Sequence, residues 1–164
     1  MKKLVLSVLV ANHSGVLSRV AGLFSRRGYN IDSLSVGVTQ DPDTSRMTIV
    51  ARGDDQNLEQ IKKQLNKLID VKKIVELPSE ESVYRELALI KVKATEENRA
   101  SITGITDIFR AKIIDVATES LTIEITGDQS KLDALIELLS PYGIKETVRT
   151  GLTGIKRGNE EIQN

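Results

Sequence analysis

Two tandem α+β units, each running β-α-β-β-α-β, are what this 164-residue sequence predicts, and three observations carry that prediction. Short Val-, Ile- and Leu-rich segments of strand length alternate with segments whose apolar residues recur three and four positions apart. The same order of segments occurs twice. A polar stretch holding a helix breaker, Pro78-Ser79-Glu80-Glu81-Ser82, separates the two rounds.

In the first round, residues 3–10 read as a strand and Asn12-His13-Ser14-Gly15 as a turn. Val16, Val20, Leu23 and Phe24 then share one helical face, which ends in a basic turn, Arg26-Arg27, and a glycine stop at Gly28. Residues 29–39 alternate, with Leu34, Val36 and Val38 on one side; Asp41-Pro42-Asp43 turns the chain, and Met47, Ile49 and Ala51 resume the alternation. Leu58, Ile61, Leu65 and Leu68 form a second amphipathic helix behind Asp54-Asp55, and residues 71–77 close the round.

The second round starts with a strand at 87–94, followed by a helix carrying Ile102, Ile105, Ile108 and Phe109, with Thr95 as its expected N-cap. Residues 113–118 and 121–126 read as a strand pair. After Gly127 comes a helix with Leu132, Leu135, Ile136 and Leu139, for which Ser130-Lys131-Leu132-Asp133 fits a capping box. Ser140-Pro141 stops it, and 144–150 is the last strand. The charged, Gly- and Asn-containing tail 156–164 is expected to fray. Each round implies a ferredoxin-like layer, an antiparallel sheet with two helices on one face. The expected domain map is 1–78, a linker at 79–83, and 84–164. The halves share a pattern and no obvious motif.

Composition narrows the chemistry. Lys and Arg number 23 against 23 Asp and Glu, so there is no cationic surplus of the kind that neutralises phosphates. The chain has five aromatic residues, three Tyr and two Phe, too few for base stacking on a sheet. With no Cys there are no disulfides, thiolate metal sites or cysteine nucleophiles, and with one His, His13, no multi-histidine metal site. The first apolar run, of about eight residues, is too short for a membrane span or a full signal peptide, so the expectation is a cytoplasmic protein. No phosphate loop, dinucleotide-binding glycine motif or nucleophile elbow is present. Asp41, Asp43 and Asp54-Asp55 read as turn and cap residues, and Lys62-Lys63, Lys67 and Lys72-Lys73 as a solvated face.

The informative stretch is 12–31. A helix N-terminus offers unpaired amides and partial positive charge to a carboxylate. Gly15 lets backbone approach a ligand, Ser14 is expected to cap the helix, and Asn12 offers an amide oxygen to an ammonium group. Together these suit the two charged ends of a free α-amino acid, although Asn-x-Ser-Gly before a helix also serves as an ordinary turn and cap. His13 has no partner dyad and reads as a turn residue. The second strand, at one edge of a ferredoxin-like sheet, carries neither Lys nor Pro and one charge, Asp32. Such an unprotected edge favours pairing with a second copy of the chain, unless a loop covers it. That pairing would bring Asn30 and Ile31 of one copy towards the Asn12–Gly15 turn of the other.

These residues also carry a family resemblance. The run Asn12-His13-Ser14-Gly15-Val16-Leu17-Ser18-Arg19-Val20, then Gly22-Leu23-Phe24-Ser25-Arg26-Arg27-Gly28-Tyr29-Asn30-Ile31 and Ser45-Arg46-Met47-Thr48, closely resembles the small, regulatory subunits of acetohydroxyacid (acetolactate) synthase. Ala111-Lys112-Ile113-Ile114-Asp115-Val116, Ser130-Lys131-Leu132-Asp133-Ala134 and Arg149-Thr150-Gly151-Leu152 extend the likeness over essentially the whole chain. The resemblance implies an effector-binding ACT domain that dimerises side by side, a second ferredoxin-like domain, and no catalytic centre, metal or cofactor of its own. It implies a separate catalytic subunit using thiamine diphosphate, Mg²⁺ and FAD in branched-chain amino acid biosynthesis. That subunit would be activated by this chain and made sensitive to a branched-chain amino acid, valine first among them. Family effector positions fall on Asn12, Gly15, Val16 and Leu17 of one copy and on Asn30 and Ile31 of its partner, with Ser14 inside the same turn. His13 occupies a variable place and receives no role. The rival readings are a free-standing sensor acting on transcription, which lacks a helix-turn-helix, and a small enzyme, which lacks an acid–base or nucleophile constellation.

Overall fold

The computed structural model describes residues 1–162 and divides the chain into two compact units: Met1–Tyr84 with Leu152 onward, and Arg85–Gly151. The first unit contains β1 (Lys2–Ala11), α1 (Val16–Arg26), β2 (Asn30–Val38), β3 (Thr44–Gly53), α2 (Asp55–Asn66) and β4 (Val71–Glu76). Its antiparallel sheet has the order β2-β3-β1-β4, which puts β2 at an edge.

Alternation along the strands assigns each side chain a face. Leu6, Val8, Met47 and Ile49 point towards the helices and bury with Val20, Phe24, Ile61 and Leu65. The intervening positions Val5 and Val50 face the other way. They too are buried, against Leu77 and Leu152, with Val75 and Tyr84 alongside. The central strands of this unit are therefore covered on both faces, and β1 is buried almost throughout.

The covering segment is the end of the chain. Leu152 leads into β9 (Thr153–Lys156), which pairs with β5 (Ser82–Lys93), whose opening residues Ser82 to Tyr84 belong to the first unit. At Gly154 a Cβ would lie 3.0 Å from the Tyr84 ring and 3.1 Å from Leu77 Cδ1, so any larger residue requires both side chains to give by a few tenths of an ångström. The sequence contains no alternation long enough to announce β9. The residues expected as a linker hold a short 3₁₀ turn, Ser79–Glu81, and Ser82 already begins β5. Arg157 N still bonds Glu81 O at 2.8 Å, so order extends into the tail expected to fray; residues 163–164 of that tail lie outside the described residues.

The second unit contains the rest of β5, α3 (Arg99–Ile108), β6 (Lys112–Val116), β7 (Ser120–Gly127), α4 (Gln129–Leu139) and β8 (Ile144–Arg149). The sheet order is β6-β7-β5-β8. Ala88, Ile90, Val92, Ile123 and Ile125 bury against Ile102, Leu132, Leu135 and Leu139. Two expected caps move. The N-cap of α4 is Asp128, accepting from Lys131 N at 2.9 Å, and Ser130 Oγ donates to that same carboxylate. The N-cap of α3 is Asn98; Thr95 stands three residues earlier, where Thr95 N donates to Asn98 Oδ1 and Asn98 N to Thr95 Oγ1. At α4 the upstream carboxylate takes the amide; before α3, Thr95 and Asn98 bond each other's amides across a turn, and the helix starts three residues later with no side-chain cap bond.

Candidate ligand site at the start of the first helix

The chain enters α1 through Gly15, at φ 87° and ψ −13°, a left-handed conformation open to glycine at no steric cost. The expected cap, Ser14, is displaced: Gly15 occupies the N-cap position and no side chain bonds the first-turn amides. That turn carries no acidic residue either, whereas α2 and α4 each begin on an aspartate that accepts a backbone N–H. Unclaimed amides at a helix start are an anion site in waiting.

The loop ahead of α1 is held from two sides. Asn12 N bonds Asp43 O at 2.8 Å, and Asn12 Nδ2 donates to Pro42 O at 2.8 Å, which leaves Oδ1 to accept from a ligand. On the other side stands Asp70, buried in the turn between α2 and β4. Arg19 Nε donates to Asp70 Oδ2, His13 Nε2 lies 3.2 Å from Asp70 Oδ1, and Asp70 O accepts from Ala11 N at 2.9 Å. His13 Nδ1 also faces Ser14 O at 3.2 Å. One residue, its carbonyl on β1 and its carboxylate on His13 and Arg19, thus ties the end of β1, the loop and the first turn of α1 together. A Cβ at position 15 would meet Arg19 Nη1 at 3.0 Å, so the glycine also keeps this clamp seated.

Arg19 and Asp70 did not emerge from sequence reasoning. Arg19 lies one helical turn past Gly15, but Asp70 is 51 residues from Arg19 and no spacing rule links them.

The remaining site residues fall into distinct classes. Val16 is buried in the core and can offer a ligand only its backbone, Ser14 is exposed, and Leu17 is 48% exposed. Asn30 opens β2, with Nδ2 donating to Asp32 Oδ1 at 3.0 Å; Ile31 is half-buried against the helix-side core. The β2–β3 register slips at Asp32, which pairs instead with Arg52. Within one chain the two groups stand apart. Asn30 is level with Arg52 on β3, while Asn12 is level with Asp43, a run of strand spanning about 30 Å.

On the outer edge strand, Val36 and Val38 are 48% and 63% exposed although they point to the helix side. Among the described residues there is no group of three or more His, Cys, Asp or Glu able to hold a metal, and no helix long and apolar enough to cross a membrane.

Comparison with known proteins matches both units. Residues 6–73 match the family model described as the AHAS small subunit-like ACT domain, and residues 85–158 that described as the small subunit of acetolactate synthase. The chain is 58% identical to the acetolactate synthase small subunit of Mycolicibacterium smegmatis, over 96% of this chain and 92% of that one. It is 47% identical to that of Bacillus subtilis, over 97% and 93%. The crystal structure of the acetolactate synthase small subunit from Thermotoga maritima superposes with a TM-score of 0.90 at 44% identity, covering 98% of this chain and 100% of the other.

Proposed function

We propose a mechanism from a plain premise: the chain belongs to the acetolactate synthase small subunits, which are regulatory and not catalytic, and its first unit is an ACT domain. In our reading it serves branched-chain amino acid biosynthesis by binding a large catalytic subunit, raising its activity and making it answer to valine or a related amino acid. Thiamine diphosphate, Mg²⁺ and FAD belong to that partner. The effector binds between two ACT domains joined along β2.

One observation carries this reading. Asn12 and the Asn30–Ile31 corner stand about 30 Å apart along one chain, and the length of α1, about 16 Å, lies between its unclaimed amides and that corner, so a site the size of one amino acid that uses all of them needs two chains. An edge strand without Lys or Pro, with two half-exposed valines, suits that pairing. The carboxylate of the amino acid sits on the amides from Gly15 to Leu17, where the helix dipole favours it. Its ammonium meets Asn12 Oδ1 and the Asn30 amide of the second copy, and its aliphatic group lies against Ile31 of that copy. Ser14 shapes the turn. A ligand held by two chains biases their arrangement, and only such differential binding alters a bound catalytic subunit. Couplings of this kind amount to about 1–3 kcal/mol.

Calorimetry tests this on the whole chain. Valine should give saturable heat, with leucine and isoleucine within about 1–3 kcal/mol of it because they differ only in carbon count or branching. Asn12→Ala should abolish the heat, and in the reconstituted complex it should remove valine inhibition while leaving activation. Inhibition that survives Asn12→Ala would show the site misplaced. Asn12 is the cleaner variant, since any side chain at Gly15 strains its backbone and crowds Arg19.

A further inference from the structure

On the face of the first unit's sheet opposite its helices lies a cavity of about 710 Å³, within the size range of small-molecule sites. Leu9, Val75, Leu77 and Ile155 give it apolar walls, and Arg46 projects into it from β3. The guanidinium is half-buried. Arg46 Nε donates to Ser7 Oγ at 2.7 Å and Nη2 to Gly154 O at 3.4 Å. Both partners are neutral, and burial lowers the Arg46 pKa from its ordinary value. A guanidinium has five N–H donors in a planar fork. Here two reach neutral oxygens, and among the described residues no carboxylate is ion-paired with the guanidinium.

We infer that this cavity is a second ligand site, distinct from the helix start, in which Arg46 holds the carboxylate of a small aliphatic monocarboxylic acid. An Arg–carboxylate fork supplies the missing anion in the geometry the guanidinium presents. The walls of Leu9, Val75, Leu77 and Ile155 take a short hydrocarbon body. The rim sets the charge limit: Asp41, Glu160 and Glu161 also line the cavity, and its other cation, Lys156, is already paired with Glu81 and Glu160, so a dicarboxylate or polyphosphate places its further negative charges against carboxylates. The site also touches the machinery of the first one. Thr39 to Asp41 border the cavity, and the next two residues, Pro42 and Asp43, supply the carbonyls that hold Asn12.

The test is a titration of the full chain followed by amide resonances, with isobutyrate as probe and isobutyramide and succinate as neutral and dianionic controls. Isobutyrate should shift the amides of Thr39, Gln40 and Thr44. Arg46→Gln should weaken it by about tenfold or more, Arg46→Lys should fall between, and Asn12→Ala should leave it unchanged. Isobutyramide and succinate should bind at least about tenfold more weakly than isobutyrate. Should Arg46→Gln disturb the native spectrum, Arg46→Lys decides, since it keeps the charge and loses the fork. The inference is overturned if isobutyrate leaves those amides in place at about 10 mM, if neither Arg46 variant weakens it, or if succinate binds equally well.

Discussion

In the first unit the pairing of β2 with β3 slips between Ile31 and Ser33; in the second, β6 with β7 slips between Ile113 and Asp115. The other edge repeats too, with β1–β4 slipping between Leu9 and Val10 and β5–β8 between Lys91 and Val92. The helices α2 and α4 both start on an aspartate cap. Against this shared plan three differences stand out. The loop before α1 passes through left-handed Gly15, while the loop before α3 closes on itself through Thr95 and Asn98. The residue that opens the edge strand is Asn30 in one unit and Lys112 in the other. The second face of the first sheet buries Val5 and Val50 under Leu152 and Leu77, whereas in the second unit Leu87, Leu89 and Val148 on that face all remain partly exposed. One backbone plan thus presents an open helix start or a closed one, according to a few side chains at one loop and one edge.

The comparison breaks most visibly at Leu152. Leu152→Ala should destabilise the first unit by about 2–5 kcal/mol, because the side chain is buried with Val5, Val50 and Leu77 on the sheet face opposite the helices. Hydrogen exchange would read this as faster exchange of the Met47–Ala51 amides with those of Leu121–Ile125 unchanged. Equal acceleration in both units would mean that the two cores unfold as one.

A smaller effect sharpens the likeness. Asp54→Ala and Asp128→Ala remove corresponding caps, accepting from Asn57 N at 2.8 Å and Lys131 N at 2.9 Å. Each should cost about 1 kcal/mol, and thermal melts of the two variants should move by similar amounts. A loss confined to one of them would show that the repeat is geometric and not energetic.

The smallest effect appears at high pH. Tyr84, whose hydroxyl donates to Leu77 O, has its pKa raised, first by burial and then by the negative charges of Glu80 and Glu76. The fold favours the neutral phenol, so this contribution to stability is intact below about pH 10 and is lost as pH rises through the raised value. Absorbance at alkaline pH should show one phenol titrating above the ordinary tyrosine range, and Tyr84→Phe should remove it. A tyrosine titration unchanged in that variant would place the packing of Tyr84 elsewhere.

Strand and helix positions were legible because burial imposes a period: Leu34, Val36 and Val38 alternate, and Val16, Val20, Leu23 and Phe24 follow the helix turn. The edge position of β2 followed from the βαββαβ order. Helix starts were less legible. Ser14, Thr95 and Ser130 are all plausible caps by residue type, yet Gly15, Asn98 and Asp128 take the position; of these three only Asp128 bonds a first-turn amide with its side chain, so the path of the loop backbone decides the other two starts. At the candidate site, Asn12, Gly15 and Asn30 could be named from chemistry alone, while the Asp70 clamp could not.

What the sequence by itself determined is therefore whatever depends on neighbours along the chain: the period of each segment, the glycine hinge before α1, the unprotected edge, and a family motif long enough to identify the subunit. What only the tertiary structure decided are the meetings across long stretches of chain. Asp70 reaches Arg19, Leu152 returns to cover Val5 and Val50, and Arg46 comes to rest between Ser7 and Gly154. The first and last give a polar group that water would otherwise satisfy a partner dozens of residues away, and the second removes apolar surface from water. Such a choice follows from which buried surfaces need covering once the sheet has formed, and no local pattern records it.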